Sequence, residues 1–290
     1  MPGVSVLLFP LLLLAQTQAH QPAPSPAIPT PGPIDRAFVR LYNLDFPGAR
    51  TILDEHDRLE PADPLTPAVR AVVDLFTELE RLHILETEFF LDDSHMVDGA
   101  GGRAPDPATR SRLYANLAEA RRRAGVRLAS APNDLDGLFA TCLASGVDLD
   151  YVALVERRTW RSLRMAGDVA AHARKLLSLK PPFYDAYLTF GSMEYIVGSL
   201  PFFVRWFVHY EGVSGNKTLG IEQLELVARQ GRYYGPFARV LLTLVALREK
   251  RLEEAERRSA DLVRDFPENA IFRKELARIQ REIQAKRARR

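Results

Sequence analysis

From Ile34 onwards, apolar positions recur three and four residues apart, and no run alternates Val, Ile or Thr with polar residues. That period belongs to helices with one face turned inwards, so the pattern predicts an all-α chain. The segment IDRAFVRLYNLDFPGARTILDEHDRLEP reads as a helix, a break at Asp45-Phe46-Pro47, and a second helix ended by Pro61. A long helix is expected from about Pro67, with Val72, Leu75, Phe76, Leu79, Leu82, Ile84, Leu85, Phe89 and Phe90 burying two of its sides. Further helices are predicted over Ala108–Ala129, Leu135–Ala144 and Asp150–Leu179, the last with Gly167 as a break point, and over Tyr184–Val197 and Pro201–Tyr210. Leu219–Gln230, Pro236–Glu249, Leu252–Asp265 and Ala270–Lys286 complete the series.

Three stretches fall outside this rhythm. Residues 1–19 are apolar from Val4 to Ala15 and end in Thr17-Gln18-Ala19, as a secretory signal does before its cleavage site. The run is shorter than the ~20 apolar residues of a relaxed membrane span. Residues 20–33 form a tether, with six prolines in the thirteen positions QPAPSPAIPTPGP, which favours a stiff extended chain over a helix. Residues 92–107 form a polar, Gly-rich loop between N-terminal hairpins at 34–91 and a C-terminal array at 108–290.

The helices carry a repeat mark. A tetratricopeptide unit is ~34 residues of helix–turn–helix, with a small residue where the helices touch and a proline after the second. In that register the alanine precedes the proline by twelve positions, as Ala49 does Pro61, Ala120 Pro132, Ala170 Pro182 and Ala255 Pro267. The expected fold is a degenerate tetratricopeptide array (an α-solenoid), with a non-repetitive helical bundle as the alternative. The stretch FGSMEYIVGSLPFFVRWFVHYEGVSGNKTLGIEQLELVARQGRYYGPFARVLLTL, followed by EEAERRSADLVRDFPENAIF, resembles the C-terminal half of a eukaryotic family, the inclusion-body-clearance tetratricopeptide proteins. The resemblance is carried by the Ser199-Leu200-Pro201 before an aromatic helix, the Gly212, Ser214, Gly215, Asn216 turn, the run through Leu224, and FPENAIF. It covers residues 150 to 280 and implies a tetratricopeptide scaffold without catalysis.

Composition narrows the chemistry. A formal charge of +2 implies no polyanionic partner, and one cysteine, Cys142, permits neither an internal disulfide nor a cysteine-built zinc site. Arg121–Arg123 reads as an exposed helix face without interleaved aromatics, so nucleic acid is not expected. Glu80 and His83 have metal-ligand spacing, but carboxylate-bridged di-iron bundles need a second Glu-x-x-His and none is found, so no metal or cofactor is expected, and a metal-binding helical-bundle enzyme using this pair is the lesser alternative. The working surface is expected to be a groove lined by first helices, where a protein or peptide partner meets Tyr187, Tyr195, Arg239, Arg248, Lys274, Arg278 and Arg281. The alternative is peripheral membrane association through Phe202, Phe203, Trp206 and Phe207. With its signal, the protein is expected in the periplasm, the envelope or the medium.

Overall fold

Each helix of this chain packs on the one that follows it. The computed structural model describes residues 31–86, 103–199 and 213–289, and eleven α-helices lie among them. They are α1 Pro33–Tyr42, α2 Phe46–Leu59, α3 Leu65–Arg81, α4 Pro107–Ser130, α5 Leu135–Asp150, α6 Thr159–Leu177, α7 Tyr187–Ser199, α8 Lys217–Gln230, α9 Gly235–Arg248, α10 Leu252–Asp265 and α11 Ala270–Ala288. Every consecutive pair is in contact, so the all-helical expectation holds. The expected signal, most of the expected tether, most of the loop and the aromatic segment 200–210 lie outside the described residues.

Helix starts are written plainly in the sequence. Asp45, Asp106, Asp134, Asn216 and Asn269 each accept a backbone N–H from the first turn of the helix they precede, satisfying a donor that has no partner within the helix. Pro47, Pro107 and Pro236 sit in first turns, where a missing N–H costs nothing.

Helix ends are a different matter, and here two expectations are corrected. The long helix stops at Arg81 because His83 takes a left-handed backbone (φ 59°), and Ile84 N–H then bonds back to the Leu79 carbonyl. Leu44 and Lys250 end α1 and α9 in the same way, at φ 62° and 58°. This geometry normally calls for glycine, since a side chain costs ~1 kcal/mol there. Lys250→Gly is therefore expected to raise stability by about 0.5–1 kcal/mol, read as an increase in the urea midpoint at constant slope. The helix expected over Asp150–Leu179 is also interrupted, but not at Gly167, where a Cβ would meet nothing within 4 Å. It breaks earlier. A π-helical turn, Tyr151–Val155, continues α5, and Arg157 at φ 56° redirects the chain into α6.

Most of the buried apolar residues form one core that joins distant parts of the chain. Phe38 of α1 meets Tyr233 in the α8–α9 turn at 5.1 Å between ring centroids, and Phe139 of α5 stacks on the same ring at 5.2 Å. Tyr42 donates its hydroxyl to the Tyr233 carbonyl at 2.8 Å, and Asn269 donates to the Tyr42 carbonyl at 2.8 Å. The first helix is thus bonded to the start of the last.

Candidate functional site

The residues expected to line a groove do not form one open surface. Arg239 is held by Asp265 at 2.6 Å, over the Phe266 ring. Tyr195 is buried at 8% exposure, with Lys217 over its ring, and Tyr187 stacks on Tyr184. Lys274 reaches Glu86 at 2.7 Å, and Arg278 forks onto Glu275 one turn away on α11. Arg248 and Arg281 are exposed on α9 and α11, Arg281 donating to the Ala277 carbonyl. The anchors expected for a partner are largely spent on the chain itself.

The Glu80–His83 pair is corrected too. His83 lies beyond the end of α3, so the two side chains do not share a helical face; its ring instead approaches Glu86 at 3.4 Å. Among the described residues no three His, Cys, Asp or Glu side chains come together as a metal site would require. Cys142 is buried, and burial pushes its thiol up to about 12, so little thiolate forms at neutral pH. Alkylation of the native protein by iodoacetamide is expected only after denaturant is added, as intact mass would show. Phe202, Phe203, Trp206 and Phe207 lie outside the described residues. One helical stretch, Leu135–Val155, is long and apolar enough to cross a membrane. Here it packs against α3, α4 and α6, and its Asp148 is paired with Arg121 at 2.7 Å.

Arg123 overturns the reading of Arg121–Arg123 as an exposed face. Its side chain is 11% exposed and bonds Asp57 of α2 at 2.6 Å and Glu119 of its own helix at 2.7 Å. The reason is the crossing of α4 over the α2–α3 turn, where it also reaches the Asp63 carbonyl. Hydrogen bonds from Arg122 and Arg123 draw the Glu119 carboxyl down to about 2. At Asp57 the cost of burial is outweighed by hydrogen bonds from Arg123 and Arg70, leaving that carboxyl below its ordinary value. Groups depressed on folding stabilise above their unfolded pKa and lose that contribution as pH falls through the folded one. The contribution of these two carboxylates to stability is therefore expected to be constant above pH ~5 and to fall as pH drops from ~4.5 towards 2. Arg123→Ala should cost about 2–3 kcal/mol at pH 7, with the gap to the wild type narrowing in acid. Urea titrations at several pH values would test both.

A second arginine cluster does reach solvent, and the sequence reading missed it. The π-turn delivers Glu156 inwards, 6% exposed, where Arg110 forks onto it at 2.9 and 3.1 Å. Arg158 and Arg161 flank the same carboxylate at 3.5 and 3.7 Å, and Tyr114 donates to it at 3.3 Å. Three guanidinium groups thus share one negative charge. Arg110 and Arg161 border an open depression of about 730 Å³, lined also by Pro105, Pro107, Ser111 and Tyr114. Trp160, 81% exposed, precedes Arg161 on the first turn of α6. The signal was present as RRTWRSLR, residues 157–164, where four arginines bracket a tryptophan that no helical apolar stripe claims.

Chemically, this arrangement can hold anionic groups and cover an apolar one. Neither a family model, nor a curated protein, nor a solved structure matches the chain.

Proposed function

We propose that this chain is an exported, degenerate tetratricopeptide scaffold that binds a protein partner in the cell envelope and performs no catalysis of its own. In this reading α1–α2, α5–α6 and α9–α10 are hairpin units, the pairs α3–α4 and α7–α8 flank segments outside the described residues, and α11 shields the end of the array from water. The observation that carries it is the recurrence of one pattern. Ala49, Ala120, Ala170 and Ala255 each lie on the second helix of a pair, each is 0–2% exposed, and each is followed past the helix end by Pro61, Pro132, Pro182 or Pro267. Small residues let two helices approach, and a proline stops the second so that the next unit can begin. Stacked hairpins are suited to presenting an extended binding surface.

The test has two parts. Amino-terminal sequencing of the protein recovered from its host should begin at His20 and not at Met1. A crosslinked pull-down of the tagged chain from the envelope fraction should then return one dominant protein partner. Recovery of lipid alone, or of nothing above a heat-denatured control, would count against a protein-binding scaffold.

A further inference from the structure

We infer that the face formed by Arg110, Arg158, Arg161 and Trp160 is a docking surface for an acidic peptide segment with an apolar side chain in its midst. The inference rests on the scaffold reading and names the surface and partner chemistry it lacks.

Charge decides the class of partner. Arg110, Arg158 and Arg161 converge on Glu156 alone, which leaves two positive charges beyond what that carboxylate neutralises. Arg164 follows them in sequence, and the first turn of α6 carries no acidic residue. The N-terminal end of α6 adds the partial positive charge of the helix dipole, with no side-chain cap from Arg158 to offset it. Guanidinium groups are planar forks that match carboxylates two bonds at a time. Arg110 is already steadied over the Tyr114 ring at 5.1 Å, so part of the ordering cost is met before a ligand arrives.

Shape and apolar surface favour a peptide over a lipid headgroup layer. A membrane surface is broad and has no use for a concavity. The depression of about 730 Å³ beside Arg110 and Arg161 is of a size that holds a few side chains. Trp160 is the most exposed large apolar residue among those described, at 81%, with Leu163 one turn along α6 at 37%. Tryptophan and arginine are the side chains most enriched where a few contacts dominate protein binding. Here both kinds meet on one helix turn.

Trp160 provides its own reporter once Trp206 is replaced, since the chain has only two tryptophans. In the full-length Trp206→Phe protein, Trp160 emission should be that of a water-exposed indole. A fluorescein-labelled peptide rich in glutamate and carrying two leucines is expected to bind saturably, to shift Trp160 emission to the blue, and to be released by salt. The same peptide with glutamine in place of glutamate should bind about tenfold more weakly or not at all. Trp160→Ala and Arg161→Ala should each weaken binding by about tenfold, with circular dichroism unchanged because both side chains are exposed. Failure of the acidic peptide to bind, or binding indifferent to both substitutions, would overturn the inference. So would Trp160-dependent binding to phosphatidylglycerol vesicles without peptide binding, which would make the face a lipid surface. If the envelope pull-down still returns its partner from the Trp160→Ala protein, the scaffold stands and only this surface is wrong. If neither pull-down nor peptide gives a complex, both readings fall.

Discussion

Replacing Gly220 with alanine is expected to destabilise the protein by about 2–4 kcal/mol, the cost of forcing atoms into a closely packed contact. Gly220 sits in the first turn of α8, directly against α7. A Cβ there would stand 2.7 Å from the Tyr195 amide nitrogen and 2.8 Å from the Gly191 carbonyl oxygen. Both are backbone atoms inside a helix, so neither can swing aside as a side-chain tip would. Gly191 meets the same contact from the other side, its Cβ position lying 3.1 Å from the Gly220 carbonyl. The two glycines are what let α7 and α8 approach. Gly167→Ala and Gly125→Ala are the controls: each lies within a helix with open space around it, so alanine should stabilise by about 0.5–1 kcal/mol through helix propensity. Urea melts of the three variants would decide it. If Gly220→Ala lay within ~0.5 kcal/mol of the wild type, the α7–α8 contact would not be close in solution.

These contrasts show which features a sequence can display. Helix starts were legible because their devices are local: an Asp or Asn accepts an N–H three residues on, and a proline sits where no N–H is needed. Helix ends were legible where a proline follows, as at Pro61 and Pro267, and obscure where a bulky residue takes the left-handed conformation that glycine usually marks. His83 is the plain case, and its misreading took the Glu80–His83 pair with it. Gly167 misled in the opposite direction, since a glycine in open space breaks nothing. The role of Arg123 was hidden for another reason, because its partner Asp57 is sixty-six positions away and only the approach of α4 to the α2–α3 turn brings them together. Trp160 lay in plain view, but an exposed tryptophan is identified only once the helix stripe it fails to join is known.

Long-range packing also decides which surfaces the helices leave open. The aromatic residues of the α8–α9 turn and of the Phe266 turn are occupied by Phe38 and Tyr42 of α1. Lys274 and Arg239 are correspondingly drawn into intramolecular pairs. On the proposed scaffold reading the partner surface lies elsewhere, and Trp160 of α6 is the most exposed large apolar residue among those described.

The turn that holds α1 in place is itself fastened by a single carboxylate, and its removal is the second large effect expected. Asp185, 1% exposed in the short turn of helix before α7, accepts the backbone N–H groups of Arg232 at 2.8 Å, Tyr233 at 2.8 Å and Tyr234 at 2.6 Å. Three N–H donors of one turn thus depend on one side chain. Asp185→Ala would leave them without partners in the interior, at ~1–3 kcal/mol for each that water cannot reach, giving about 3–5 kcal/mol in all. Asp185→Asn retains one acceptor oxygen and faces an amide NH₂ towards a backbone N–H, so it should recover only part of the loss. The consequence should reach further than the turn. Tyr233 is the ring on which Phe38 and Phe139 converge, and its carbonyl accepts from Tyr42. Amide hydrogen exchange in the Asp185→Ala protein should therefore rise in α1 and α5 as well as at residues 232–234. Faster exchange confined to the turn would mean that α1 is held by its own apolar contacts, and that Asp185 orders the loop alone.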